Sequence, residues 1–157
     1  MLYRSYFPAE GSLNHVGPPA GPVEVPVTVG YSRPGFERRR RWDRRLRTPL
    51  LRSLRAPGVM DRLGLLRRVK LSPEKCDAET MHRLIDAAIA DGAEGVVLMF
   101  HSSSLAPGMT PYVRDAAALE RFHANLERVF ERCRARGMST PSLTSFGRAV
   151  RRTAGAV

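Results

Sequence analysis

The spacing of apolar positions along the chain switches between two periods, and each switch marks an element. Val23, Val25, Val27 and Val29 alternate with Glu24, Pro26 and Thr28. A period of two in a β-branched run predicts a strand over 23–29. Pro26 lacks an amide proton, which predicts an edge position or a bulge there. Met81, Leu84, Ile85, Ala88 and Ile89 recur at three- and four-residue steps, so they predict one face of a helix that Asp77 caps and Gly92 stops. Gly95-Val96-Val97-Leu98-Met99-Phe100 is a short unbroken apolar run, which predicts a strand covered on both faces and hence a parallel sheet. After a Pro/Gly loop, Leu119, Phe122, Leu126, Val129, Phe130 and Cys133 return to the helical period between Asp115 and Gly137. Ser142 is placed to cap a last helix that frays into Arg151-Arg152-Thr153-Ala154-Gly155.

This order predicts an α/β chain. Its two full strands and a short extended piece, Met138-Ser139-Thr140, are too few to close a barrel of about eight. The expected layout is an irregular Pro/Gly-rich lead-in over 1–22, a β/α domain over 23–146 and a frayed basic tail over 147–157. Within the domain, 33–70 reads as a basic insertion of short helices.

Charge sharpens that insertion. Residues 33–70 hold 14 Lys/Arg against three acids, which equals the +11 of the whole chain, so the remainder is neutral. Arg38, Arg39, Arg40, Arg41, Arg44 and Arg45 flank Trp42, the sole tryptophan. A local cationic segment suits nucleic acid, an anionic membrane surface or an acidic glycan, and equally a solvated helix face. The N-terminal residues contain no apolar stretch of the signal-peptide kind, and no apolar run approaches the roughly 20 residues of a membrane span. The expectation is a cytoplasmic protein, peripheral at the inner membrane surface if the basic segment binds lipid. Two cysteines, Cys76 and Cys133, make no disulfide framework and no zinc spacing, and read as apolar filler.

Candidate chemistry gathers at His101. It follows the apolar run, at the end of a strand where α/β folds place active sites. An imidazole there can move a proton near neutrality, or it can be a core histidine bonded to a carbonyl. The loop from Ser102 to Pro111 is placed to line a sugar site, with Ser102 and Tyr112 as candidate substrate contacts. The sequence has no Gly-x-Ser-x-Gly elbow, no phosphate-binding loop and no dinucleotide fingerprint.

Leu98-Met99-Phe100-His101 resembles the last conserved motif of the polysaccharide deacetylases, carbohydrate esterase family 4, which ends a barrel strand in Leu-x-x-His. The likeness extends to deacetylase-like proteins of cell-surface polysaccharide synthesis through an ordered set of stretches. These are Val23–Thr28, Leu63–Arg68, Leu71-Ser72-Pro73-Glu74, His101-Ser102-Ser103-Ser104-Leu105, Pro107-Gly108 and Thr110-Pro111-Tyr112-Val113, covering roughly residues 23–146. The resemblance implies the C-terminal segment of a deformed parallel β/α barrel. It implies hydrolysis of acetyl groups on a glycan with a divalent metal such as zinc, His101 as proton donor and Leu98 as wall of the acetyl pocket. The family's Asp-Asp pair, its His-x-x-x-His pair and its Arg-containing substrate motif have no counterpart in this sequence. His15, His82 and His123 do not replace them. No metal site is therefore expected here, the chain alone is expected to be inactive, and an upstream half of the same enzyme is the expected partner.

Overall fold

The computed structural model describes residues 8–9, 12–16, 23–46, 48, 62 and 66–155, with side chains from residue 23 to 153. In chain order the elements are strands β1 (Pro8–Ala9), β2 (Ser12–Val16) and β3 (Val29–Tyr31), helix α1 (Phe36–Leu46), strand β4 (Arg68–Lys70), and helices α2 (Ala78–Ala90), α3 (Ala116–Ala135) and α4 (Leu143–Gly155). A single 3-10 turn, Ser102–Leu105, lies between α2 and α3. The chain is α/β and mostly helical.

Both ladders among the described residues are antiparallel. β1 pairs with β2, inside the stretch expected to be irregular. β3 pairs with β4 in the register Val29–Lys70, Gly30–Val69 and Tyr31–Arg68. The strand expected over 23–29 is thus confined to its last residue and the two that follow, because Pro26 interrupts the ladder upstream. Arg68–Lys70, assigned to the basic insertion, is instead its partner strand.

The apolar run 95–100 corrects a second expectation. It joins no named strand, and all six residues are half-buried rather than covered on both faces. It lies in extended form where the β3–β4 ladder ends. There the Thr28 amide donates to the Val97 carbonyl (3.1 Å), the Leu71 amide to the Thr28 carbonyl (2.9 Å) and the Met99 amide to the Leu71 carbonyl (3.1 Å). The buried Thr28 hydroxyl accepts from the Val97 amide at 2.8 Å. Thr28 therefore splices the run onto the ladder through both its backbone and its side chain. No parallel barrel is built by these strands.

The helices follow their sequence signals closely. The Asp77 carboxylate accepts from the Thr80 amide and Asp115 from the Ala118 amide, both at 2.7 Å, satisfying N-terminal donors that the helix leaves free. Gly92 and Gly137, at φ 79° and 68°, turn the chain out of α2 and α3 in the left-handed region where a side chain is disfavoured. α2 is central, packed against β3, β4 and α3. Met81, Leu84, Ile85 and Ala88 are buried as expected, while Ile89 is 41% exposed at the edge of the face. They join Tyr31, Phe36, Val69, Leu71 and Val129 in the main core. Val113, Phe122 and Leu126 form a second, smaller cluster. Phe130, assigned to the buried face of α3, is half exposed. α4 continues as helix through the expected tail to Gly155.

Candidate functional site

β4 ends by turning through Ser72 and residues 73–75, and this turn carries Glu74 to the end of the 95–100 run. The Glu74 side chain is 3% exposed, yet it is well supplied with donors. Its Oε1 accepts from the His101 amide at 2.8 Å and from the Ser104 hydroxyl at 2.7 Å. The Nδ1 atom of His101 lies 2.9 Å from Oε1 and 3.0 Å from Oε2. Burial pushes the Glu74 carboxyl up. The Ser104 hydroxyl and the His101 amide and ring outweigh that and hold it below the usual carboxylate range.

Ser104 is fully buried. Its hydroxyl also shares a 3.3 Å bond with the Thr110 hydroxyl, which accepts from the Val113 amide at 3.2 Å. A Thr110–Val113 bridge and the bond from the Gly108 amide to the Val113 carbonyl (2.8 Å) close the loop. Glu74 therefore does two things. It staples the 101–113 loop to the turn after β4, and it fixes the orientation of the His101 ring.

That orientation decides what His101 can do. Its side chain is 58% exposed, so it is not a core histidine. Nδ1 faces an ionised carboxylate, which selects the tautomer with hydrogen on Nδ1. Nε2 is left without a bonding partner among the described residues. The arrangement suits proton transfer at Nε2 to or from a group arriving from solvent.

The remaining sequence-nominated residues divide. Ser102 is exposed beside His101, at the start of the 3-10 turn. Leu98 is half-buried and packs against both core clusters, so only part of it is free to wall a pocket. Tyr112 is 39% exposed, and the ammonium of Lys75, the residue after Glu74, lies 5.6 Å from its ring centroid. The arginines 38–41, 44 and 45 belong to α1 and not to this site. The Gly35 and Phe36 amides donate to Asp91 at 2.7 and 2.6 Å, fixing the start of α1 at the C-terminal end of α2. Glu74 precedes the opposite end, and the 13 residues of α2 separate the two by about 20 Å.

Among the described residues no group of three or more His, Cys, Asp and Glu side chains is placed to hold a metal ion. The described residues thus do not fit the divalent metal that the deacetylase resemblance implies. His82 is buried with Nε2 3.1 Å from the Arg128 carbonyl, and His123 sits edge-on to Phe122. The side chain of His15 lies outside the described set. Burial pushes the thiols of Cys76 and Cys133 up, away from the nucleophilic thiolate. A cleft of about 440 Å³, lined by Ile89, Gly95, Val96 and Met138 among others, opens at the Gly95 end of the extended run, away from His101.

Sequence reasoning had nominated neither Glu74 nor Ser104 nor Thr110 as a site residue. Glu74 stood in the Leu71-Ser72-Pro73-Glu74 stretch, and an acid at the end of so basic a segment was the available signal. No family model, curated protein or solved structure matches the chain.

Proposed function

We propose that this chain carries the proton-donating side of a hydrolytic site that removes acetyl groups from a cell-surface polysaccharide or its lipid-linked precursor. The reading rests on the Glu74–His101 pair, in which a buried carboxylate holds Nδ1 and leaves Nε2 toward solvent. Cleavage of an acetyl amide or ester breaks the bond from the carbonyl carbon to nitrogen or oxygen, and the departing atom needs a proton. His101 delivers that proton from Nε2, and Glu74 holds the ring in place through Nδ1. Ser102 offers a hydroxyl to the sugar, Tyr112 an aromatic surface, and the free part of Leu98 a wall for the acetyl methyl.

No ligand set for a metal is found among the described residues, so the reading stops at the proton donor. The complementary groups belong to a second polypeptide, an upstream half of the same enzyme. The test is acetate release from an acetylated oligosaccharide. The isolated chain is compared with the chain purified together with the polypeptides that accompany it in its own cells. Release by the associated form alone is expected, with His101→Ala lowering the rate by about 10²–10⁴. No release by either form, or an unchanged rate in His101→Ala, would defeat the reading.

A further inference from the structure

α1 has one face committed to the core and one that is not. Phe36 and Asp43 are buried, and Arg39 and Leu46 are half-buried. Each residue advances about 100° around a helix, so these four share a narrow inward sector and Arg40, Arg44, Arg41, Arg45 and Arg38 fan across roughly 160° of the outward side. All five are exposed. Only Arg40 makes an ion pair with a described residue, to Glu37 at 3.2 Å. The side chains of Arg38, Arg41, Arg44 and Arg45 make no ion pair among the described residues. Trp42 is 55% exposed and lies at one margin of the fan, between Arg38 and the inward sector. Burial first, then Arg33 and Arg38, holds the guanidinium of the half-buried Arg39 below the usual value.

We propose that the outward face of α1 is a docking surface for an anionic membrane. The argument is charge complementarity and shape. Anionic headgroups form a plane of laterally mobile charges, which can meet arginines spread over a wide arc. Arginine stems lie along apolar surface while their heads reach phosphate, and an indole at the margin of a cationic face settles at headgroup depth. The outward residues are arginines, Glu37 and Trp42. Arginine also pairs with the phosphates and guanines of a nucleic acid, so a single-stranded oligonucleotide is the competitor against which the lipid is tested. Phe36 and Leu46 are turned inward, so apart from Trp42 the helix docks without burying apolar side chains in the lipid.

Trp42 is the chain's sole tryptophan, so its emission reports directly on this face. The full chain is mixed with phosphatidylcholine vesicles with and without phosphatidylglycerol, and co-flotation and tryptophan emission are recorded against salt. Binding at least roughly tenfold tighter to the anionic vesicles is expected, weakening as salt rises, with a blue shift of Trp42. Arg41→Glu with Arg45→Glu should lose at least about tenfold in affinity. Arg41→Gln with Arg45→Gln serves if the charge reversal disturbs the helix by circular dichroism. Reversal of Arg121 and Arg134, exposed on α3, should leave binding in place. Four results would each overturn the proposal. These are equal binding to neutral vesicles, unshifted Trp42 emission on vesicles that bind, equal losses in the α3 control, and tighter binding to a single-stranded oligonucleotide at matched phosphate.

Discussion

Glu74 shows how a single carboxylate sets the protonation chemistry around it. Its donors favour the ionised form in the folded chain, and its carboxyl sits below the ordinary value of 4.5. A depressed folded value means stability that is present above the unfolded value and lost as pH falls through the folded one. At neutral pH, Glu74→Gln is expected to cost about 1–2 kcal/mol, since the amide oxygen can still accept from the His101 amide and Ser104 while the charge and the second accepting oxygen are lost. The gap between the two proteins should shrink as the pH falls below the ordinary carboxylate range. Urea unfolding at a series of pH values reads this, and a gap that stays constant into the acid range would remove Glu74 as its source. Gly30 is constrained by space. A Cβ there would lie 2.4 Å from Cε2 of Phe36 and 2.9 Å from Cδ1 of Leu84. Both neighbours are core side chains, so Gly30→Ala is expected to destabilise by about 1–3 kcal/mol. A melting temperature equal to the wild type would show that the Phe36 ring has room to move.

Among the elements, α1 depends most on another for its position. It has 11 residues, too short to be stable in isolation, and a mean composition dominated by like charges. Its first amides are satisfied by Asp91, which lies at the end of α2 and 55 or more residues away in sequence. The carboxylate also complements the positive end of the α1 dipole. Asp91→Ala is expected to cost about 2 kcal/mol. Hydrogen exchange should rise at 36–46 more than at α2 itself. Uniform acceleration across both helices would mean that the anchor supports the whole core instead. Asp86 ties α2 to α3 through Arg132 at 3.1 Å and through Arg136. These pairs are partly exposed and contribute little beside the apolar seam of the two helices.

The molecule as a whole holds two apolar clusters, and Leu98 packs against both. It sits three residues before His101, so the joint between the clusters is also the support of the site. Leu98→Ala is expected to lower stability by about 2 kcal/mol, the low end for a leucine because the residue is only half-buried. It should also broaden the NMR signals of the 101–113 loop. A destabilised protein whose loop signals stay sharp would show that the Glu74 staple holds the loop without Leu98. No described helix is long and apolar enough to cross a membrane. The start of α1 is fixed at one end of α2, and Glu74, which holds His101, precedes the other.

The helices, their caps at Asp77 and Asp115 and their glycine stops were legible along the sequence, because each depends on residues within a few positions of one another. The α/β class was legible for the same reason. Strand pairing was not. The apolar run 95–100 was read as a parallel strand from its composition, but its neighbours are chosen by contacts with Thr28 and Leu71, residues far off in sequence. The partner of His101 was hidden likewise. Nothing local to His101-Ser102-Ser103-Ser104 names Glu74, 27 residues earlier. Only the fold, by turning the chain after β4 against the end of that run, brings a buried carboxylate to Nδ1 and so decides which nitrogen of the ring faces solvent.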